Sequence, residues 1–199
     1  MSKKFSSSNT ALSIAINGCS QGIGLFLAKH FCSRHEVTKV TCRLPDFDQI
    51  LSEIENCDVF INNASDRLFQ SELFLHVYDR WRQNEGKFII NIGSRASALN
   101  SSINTMYSVS KNALNFAVAN CLYKDKDKAC RISVINLGLV GKIQNMSLGF
   151  DDVVDAVETV LYAPSGIEIA RIDVHHRAAY PIVQESKKRL ETNVDFRVF

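Results

Sequence analysis

The sequence predicts an α/β fold in which one parallel sheet of about six strands carries helices on both faces. Short apolar runs of strand length alternate along the chain with longer segments whose apolar residues recur at helical spacing. A glycine-rich turn connects the first apolar run to the first helical segment. The 199 residues are 46% hydrophobic and 22% charged, which is ordinary for a globular domain of this size. Strands that alternate with helices are typical of a doubly wound parallel sheet.

The predicted elements divide the chain into a lead-in, one domain and a tail. The basic, serine-rich residues 1–10 are expected to form a flexible lead-in, residues 11–180 the single domain, and the charged residues 181–199 a C-terminal tail. Strands are predicted at 11–16, 38–42, 58–61, 87–92, 131–136 and 166–173. Helices are predicted at 25–32, 46–56, 69–82, 104–123 and 151–162.

Charge and cysteine usage argue against several classes of function. A net charge of +2 gives no electrostatic reason to expect binding to nucleic acid or to a membrane surface. No run of eighteen apolar residues is present, so no membrane-spanning helix is expected. The six cysteines form no Cys-x-x-Cys pair, so we expect no metal site and free thiols in a reducing compartment, the cytoplasm. His175 and His176 would point to opposite faces of a strand, which favours ordinary strand-end residues over metal ligands.

The segment from Asn17 to Gly24 reads Asn-Gly-Cys-Ser-Gln-Gly-Ile-Gly and lies between the first predicted strand and the first predicted helix. That context favours a dinucleotide-binding loop in a Rossmann-like fold. Gly18 would permit the tight turn, Gly22 would admit a pyrophosphate to the backbone, and Gly24 would allow close packing, while the helix N-terminus supplies the positive end of its dipole. The predicted cofactor-binding residues of this loop are Gly18, Ser20, Gln21, Gly22, Ile23 and Gly24. The alternative is a glycine turn without a ligand.

Cys42 and Arg43 stand at the tip of the second predicted strand, where dinucleotide folds meet the adenosine ribose. A carboxylate at this tip favours a free 2′-hydroxyl, whereas an arginine accommodates a 2′-phosphate. No carboxylate occurs there before Asp46, so NADP(H) is predicted over NAD(H), with Arg43 in the cofactor site. The alternative is that Arg43 is a solvated charge.

Other predicted strands should bring more residues to the same edge of the sheet. The carboxyl ends of parallel strands meet at one edge, and ligands of open α/β sheets bind there. The edge would gather Asn62-Asn63-Ala64-Ser65, Ser94 and Leu137-Gly138-Leu139-Val140-Gly141. The predicted cofactor contacts among them are Asn63, Ala64, Gly138 and Val140.

Tyr107 and Lys111 form a Tyr-x-x-x-Lys pair thirteen residues after Ser94. Residues four apart share one face of a helix, so the two side chains should point the same way. A cation a few ångströms from a phenol favours the phenolate, which would let Tyr107 exchange a proton with a substrate near neutral pH. The hydroxyl of Ser94 could orient a carbonyl oxygen. Ser94, Tyr107 and Lys111 are therefore the predicted catalytic residues, although an isolated pair of this kind is often only a helix-face aromatic and a solvated charge.

Taken together, these motifs resemble the short-chain dehydrogenase/reductase family. Asn-Gly-x-x-x-Gly-Ile-Gly at 17–24 resembles the family's cofactor loop, and residues 62–65 resemble its Asn-Asn-Ala-Gly segment. The catalytic set is similar, and Leu137-Gly138 stands where the family usually has Pro-Gly. The resemblance covers about residues 12–173.

The resemblance implies an enzyme in which NAD(P)(H) exchanges hydride with a small carbonyl or alcohol substrate. Tyr107 would protonate the forming alkoxide, Ser94 would hydrogen-bond that oxygen, and Lys111 would also bind the nicotinamide ribose together with Tyr107. One departure concerns the adenine side, because only fourteen residues separate Arg43 from Asp58, too few for the strand and helix that the family usually has there.

Two other functional classes remain open, and the resemblance also implies an oligomeric state. The same fold could serve a non-catalytic NAD(P)-binding regulatory protein, and a Rossmann-like methyltransferase is a weaker alternative against which the Tyr-x-x-x-Lys pair argues. The resemblance further implies a homodimer or homotetramer formed through helices 69–82 and 105–123. Phe74, Trp81, Phe116 and Leu122 are candidates to be shared between the core and that interface.

Overall fold

The computed structural model describes residues 10–40, 46–98, 104–141, 146–164 and 166–179. The strands are β1 (Ser13–Asn17), β2 (Glu36–Val40), β3 (Val59–Asn62), β4 (Phe88–Ser94), β5 (Arg131–Leu137) and β6 (Arg171–Val174). The helices are α1 (Gly22–Phe31), α2 (Phe47–Ile54), α3 (Phe69–Trp81), α4 (Thr105–Lys124) and α5 (Phe150–Leu161). Short 3₁₀ helices cover Arg95–Ser97 and Arg177–Ala179. The predicted lead-in, apart from Thr10, and the predicted tail lie outside the described residues.

The strands form one parallel sheet in the order β2-β1-β3-β4-β5-β6. This confirms the predicted fold class and the predicted number of strands. Strand β2 is the edge strand beyond β1, and the chain returns from it through α2 directly to β3. The short interval before Asp58 therefore leaves no further strand outside β2 among the described residues.

Three predicted element starts were wrong, and strand pairing explains the first. The last strand was expected from residue 166, but β6 begins at Arg171, because it pairs only with Val134–Leu137 at the end of β5. The first helix was expected from residue 25, but α1 already begins at Gly22, inside the glycine-rich turn. Strand β2 begins two residues earlier than expected, and Cys42 and Arg43 fall outside the described residues.

Apolar cores fill the space on both faces of the sheet. One core joins α1 and α5 to the sheet and includes Phe31 and Val157. The other joins α2, α3 and α4 to the opposite face and includes Phe74 and Leu114. All four side chains are fully buried, and each such burial stabilises the fold by roughly 1.5–3 kcal/mol. The inner strands β1, β3, β4 and β5 are buried on both faces along most of their length, as expected of a parallel sheet covered by helices, whereas the edge strands β2 and β6 keep exposed charged residues.

The strand order places a crevice beside the glycine-rich turn. From β1 the chain passes to β2 on one side and then to β3 on the other, so the order reverses between β1 and β3. At such a reversal the connections leave the sheet in opposite directions and open a space at the carboxyl ends of the two strands. The turn after β1 and the residues after Asn62 of β3 border this space.

His35 fastens the end of α1 to the start of β1 and the end of α5. Its Nδ1 accepts the backbone N–H of Leu12 at 3.2 Å, so its Nε2 carries the hydrogen and donates to the Tyr162 hydroxyl at 2.7 Å. Burial, and after it the positive charge of Arg34, lowers the pKa of His35 below its ordinary value of 6.5. The neutral ring is therefore the form that the fold requires.

The His35 contacts predict a loss of stability on acidification. The unfolded chain takes up the imidazole proton at a higher pH than the folded chain, so the free energy of unfolding falls as the pH drops through the unfolded value. Urea unfolding between about pH 7.5 and about pH 5.5 should show this fall in the wild type. His35→Gln, which stays neutral, should show a smaller fall, and an equal fall in both proteins would contradict the assignment.

Candidate functional site

The turn after β1 ends at a helix N-terminus that no side chain caps. Gly18 and Gly22 have φ angles of +71° and +57°, which side chains rarely adopt, and α1 starts at Gly22. Gln21 occupies the N-cap position in an extended conformation, and its side chain makes no capping hydrogen bond. A side chain at Gly22 would meet no atom within 4 Å, so the space beside the first turn is open. Unpaired N–H groups at the positive end of a helix dipole are suited to bind an anion such as a phosphate.

The turn after β1 and the segment after β3 hold each other in place. The side-chain oxygen of Asn17 accepts the backbone N–H groups of Asn63 and Ala64 at 2.6 and 2.8 Å. The amide of Asn63 donates to the carbonyls of Asn17 and Gly18 at 3.2 and 3.4 Å. A side chain at Gly24 would collide with the Gly18 carbonyl and with Asn63. The fold thus joins Gly18, Gly24, Asn63 and Ala64, all of which were predicted to contact a cofactor.

Buried amide side chains connect the three strands in the middle of the crevice. Asn17 of β1 donates to Asn62 of β3 at 3.2 Å, and Asn62 donates to Asn91 of β4 at 3.0 Å. Asn91 then donates to the carbonyl of Ser133 on β5 at 3.2 Å. All three asparagines are 1% exposed or less. Sequence reasoning assigned no role to Asn91, although an amide inside the apolar run of β4 was a visible signal.

Lys111 lies in the protein interior, bound to Gln70. The Lys111 side chain is only 3% exposed, and its Nζ donates to the Gln70 Oε1 at 2.6 Å and to the Ile92 carbonyl at 3.2 Å. Burial lowers the pKa of Lys111 from 10.5 to about 8. The amine therefore changes charge within a physiological range of pH.

Sequence reasoning missed Gln70. It occupies the buried face of α3 together with Leu73, Phe74 and Val77, at the spacing of a helical stripe. A glutamine in that stripe replaces an apolar side chain, and a buried amide needs hydrogen-bond partners. This was the available signal, but the partner lies 41 residues away in the sequence and could not be named from it.

Tyr107 stands in the first turn of α4, above Lys111. Asn104 caps the helix by accepting the backbone N–H of Tyr107 at 3.1 Å. The Lys111 Nζ lies 5.6 Å from the centre of the Tyr107 ring, as the four-residue spacing predicts. The Tyr107 side chain remains 38% exposed, so the pair combines a buried amine with an accessible phenol.

Ser94 is the last residue of β4. Its hydroxyl oxygen accepts the backbone N–H of Ala96 at 3.2 Å and so caps the short helix Arg95–Ser97. The hydroxyl hydrogen is not used by this bond and can still be donated. The half-buried side chain lies at the same edge of the sheet as the turn after β1.

The remaining predicted cofactor residues occupy less constrained positions. Gly138 follows β5, donates its N–H to the Val174 carbonyl at 2.7 Å and packs against His175, while Val140 forms an isolated bridge with Leu148. Ser20 and Gln21 are exposed in the turn, and Ile23 packs partly against the core. Arg43 lies outside the described residues.

Two of the four residues predicted to be shared between core and interface lie in the core of the same chain. Phe74 and Trp81 are 0% and 3% exposed, because they fill the layer between α3 and the sheet. Leu122 is partly buried against the same core, and Phe116 is 70% exposed. Of the four predicted residues, Phe116 alone is fully accessible on α4.

Neither a metal-binding cluster nor a membrane-spanning helix occurs in the described ranges. Among the described residues, no three His, Cys, Asp or Glu side chains lie together as a group that could hold a metal ion. None of the described helices is long and apolar enough to cross a membrane.

Many solved structures are similar to this fold. An oxidoreductase of the short-chain dehydrogenase/reductase family from Burkholderia thailandensis matches with a TM-score of 0.70 and 17% identity, over 91% of this chain and 98% of that one. The closed form of serine dehydrogenase complexed with NADP+ matches with a TM-score of 0.70 and 17% identity, over 82% of this chain and 94% of that one. A 3-oxoacyl-acyl-carrier-protein reductase with bound NAD from Brucella melitensis matches with a TM-score of 0.69 and 14% identity, over 85% and 92%.

The chain has the fold of short-chain dehydrogenase/reductase structures. The resemblance drawn from the motifs is confirmed at this level. No protein-family model and no curated protein sequence matches the chain. TM-scores of 0.69 and 0.70 establish a shared fold. Because the identities are only 14% to 17%, the chemistry must be inferred from the residues of this chain.

The contacts of Gly18 predict a specific sensitivity of the glycine-rich turn. Gly18→Ala must accommodate both the positive φ and the Asn63 amide, 2.8 Å from the added carbon. Gly141→Ala is the matched control, with a φ of +65° and only the Phe150 ring near, at 3.9 Å. Gly18→Ala should therefore lower the free energy of unfolding by about 1–3 kcal/mol more than the control, measured by urea denaturation. Equal losses would show that the contact with Asn63 is not tight.

Proposed function

We propose that the protein is an NAD(P)-dependent oxidoreductase of the short-chain dehydrogenase/reductase type. It would interconvert a small carbonyl compound and the corresponding alcohol. The proposal depends on one observation above all: the Lys111 amine lies 5.6 Å from the ring of an accessible tyrosine, at the sheet edge that carries the open helix N-terminus. The shared fold supports the proposal without identifying the reaction.

The residues around the crevice fit a dinucleotide. The uncapped first turn of α1 and the open space beside Gly22 suit a pyrophosphate, and Asn63 and Ala64 border the same crevice. Gly138 and Val140 would line its far side, beyond β5. When bound, the nicotinamide would exchange hydride with the substrate carbon.

The chain's own residues would handle the proton. The Tyr107 hydroxyl would donate its hydrogen to the carbonyl oxygen during reduction and recover it during oxidation. The positive charge of Lys111 would stabilise the phenolate left behind, because the amine lies close to the ring in a largely dry environment. Ser94 would donate its free hydroxyl hydrogen to the same substrate oxygen and so hold it in line with Tyr107.

The cofactor preference is a separate part of the proposal. Arg43 and the lack of a nearby carboxylate favour NADP(H) over NAD(H). The similar structures include one complex with NADP+ and one with NAD, so the fold itself is compatible with both.

A non-catalytic NAD(P)-binding protein is the second candidate. The observation that favours it is the position of Lys111, whose amine is drawn to Gln70 in the interior at 2.6 Å. Such a protein would bind the dinucleotide without using Tyr107.

Removal of the Tyr107 hydroxyl should separate the two candidates. Tyr107→Phe should lower kcat/KM for NADPH-dependent reduction by about 10²–10⁴-fold, because the proton donor is lost. Tyr123→Phe, on the same helix and 80% exposed, is the matched control and should keep wild-type turnover. The measurement is NADPH consumption across a panel of ketones, aldehydes and pterins, with NADPH and NADH binding followed by thermal shift.

The outcomes of this experiment are distinct. Binding without turnover in the wild type and in both variants would support the non-catalytic candidate. Turnover that survives in Tyr107→Phe would refute the role of Tyr107. A wild type that neither binds nor oxidises NADPH would refute both candidates.

We also propose that the protein self-associates through α4 as a homodimer or homotetramer. The exposed side of α4 carries Met106, Val109, Phe116 and Tyr123, which are 63%, 48%, 70% and 80% exposed. A row of exposed apolar side chains along one helix is typical of an interaction surface. Phe116 lies near the middle of this row, so its removal should weaken the interface most.

Phe116→Glu should convert the wild-type oligomer into a monomer. A charge at the centre of an apolar interface is costly, since it loses its hydration without gaining a partner. Light scattering coupled to gel filtration would measure the mass. The control is Ile167→Glu, because Ile167 is 54% exposed and lies outside α4. A monomeric wild type would end this proposal.

A cytoplasmic location completes the proposed function. The five cysteines in the described ranges are free thiols, a state that a reducing compartment maintains.

A further inference from the structure

The side chain of Gln70 is held in a single orientation. Its Nε2 donates to the Asn62 carbonyl at 2.7 Å and to the Ile92 carbonyl at 2.9 Å. Both amide hydrogens are thereby used, and the opposite end of the amide can only present its oxygen. The backbone carbonyl of Gln70 accepts a further bond from the Asn62 side chain at 2.9 Å. At 2% exposure, Gln70 is fixed on all sides by the ends of β3 and β4.

This oxygen faces the Lys111 amine. The distance from Gln70 Oε1 to Lys111 Nζ is 2.6 Å, the shorter of the two hydrogen bonds that the amine makes. An ammonium has three hydrogens, and the Gln70 and Ile92 oxygens accept two of them. The third hydrogen is not used by these two bonds. The Nζ atom lies 5.6 Å from the centre of the Tyr107 ring.

The groups that face Lys111 are uncharged. From α3 it meets the Gln70 amide, from β4 the Ile92 carbonyl, and from its own helix the Tyr107 ring, the one titratable group among them. No ion pair involving Lys111 occurs in the described ranges, and burial alone accounts for its lowered pKa. Charge-assisted hydrogen bonds to neutral oxygens are thus what favours the ammonium in this dry position.

We propose that Gln70 is a positioning residue for the reaction, which holds the Lys111 ammonium beneath the Tyr107 ring and keeps it protonated. This inference rests on the proposed function, because positioning matters only if Tyr107 transfers a proton. Gln70 itself touches neither the crevice nor Tyr107 in these contacts and acts through Lys111. A carboxylate in its place would attract the amine more strongly, whereas the neutral amide leaves the positive charge available to the phenol.

The substitution that tests the proposal is Gln70→Met, which retains the length of the side chain and removes the oxygen acceptor. It also removes the Nε2 donor and with it the bonds to the Asn62 and Ile92 carbonyls. Loss of one charge-assisted hydrogen bond should lower the titration midpoint of Lys111 by about one pH unit. The alkaline limb of the kcat/KM profile should move down with it, because the ammonium is lost earlier. At about pH 8 this corresponds to a fall in kcat/KM of about fivefold.

The control is Ser71→Ala on the next residue of α3. Ser71 is 7% exposed and its hydroxyl has no hydrogen-bond partner among the described residues. Its replacement perturbs the same buried stretch of helix without touching the network, so both the midpoint and the profile should stay at wild-type values. Gln70→Glu serves as the rescue, because it restores the oxygen acceptor but, like Gln70→Met, lacks the Nε2 donor. The two variants therefore differ at the acceptor, and Gln70→Glu should return the midpoint to the wild-type value or above it.

Two measurements are required. The first is the pH dependence of kcat/KM in NADPH-dependent reduction. The second is an NMR titration of the Lys111 Cε resonance in cofactor-free protein labelled with ¹³C-lysine, assigned by its disappearance in Lys111→Arg. This titration needs no turnover, and it can be made on Gln70→Glu should Gln70→Met fail to fold.

The results separate the inference from the proposed function. A lower midpoint in Gln70→Met, restored in Gln70→Glu, with a matching shift of the kinetic profile, would establish the positioning role. An unchanged midpoint in Gln70→Met, or in Gln70→Glu a midpoint below the wild type, would overturn it. If no variant and no wild type turns over, the proposed function fails, whereas the titration still decides whether Gln70 controls the charge of Lys111.

Discussion

The hydrogen bonds between Asn62 and Gln70 are the constraint on which the candidate site depends. Each residue donates its side-chain amide to the backbone carbonyl of the other, at 2.9 and 2.7 Å, and both are almost completely buried. Toward β1, Asn62 continues to Asn17, which organises the glycine-rich turn. Toward α4, Gln70 continues to Lys111. A continuous chain of hydrogen bonds therefore joins the glycine-rich turn before α1 to Lys111, whose amine lies beside the Tyr107 ring.

Such a network is sensitive because it is dry. A buried donor or acceptor left without its partner costs about 1–3 kcal/mol, so removal of one amide destabilises its neighbours as well as itself. The same dryness lowers the pKa of Lys111 to about 8 and brings its change of charge close to neutral pH. The sensitivity of the network to substitution and the lowered pKa of Lys111 are thus both consequences of burial.

The similarity to solved structures has a defined reach. A TM-score of 0.70 over most of both chains shows that the overall fold is shared. At 17% identity it does not show that the side chains in the crevice do the same work. The proposed oxidoreductase activity therefore depends on Tyr107, Lys111 and Ser94 in their own surroundings, and on the turn that leaves α1 uncapped.

Features that depend on local spacing could be predicted from the sequence. Alternating apolar runs predict the parallel sheet, the glycine positions predict the turn at Gly18, and four residues along one helix bring Lys111 to Tyr107. Three features became visible in the folded chain and not before. They are the core that Phe74 and Trp81 fill, the residue at which β6 begins, and the participation of Gln70 and Asn91 in the buried hydrogen bonds beside the site. Those features depend on partners from distant parts of the chain, and the hydrogen bond of Gln70 to Lys111 spans 41 residues. Local periodicity shows that a buried polar side chain needs a hydrogen-bond partner, but the identity of that partner depends on how the helices pack.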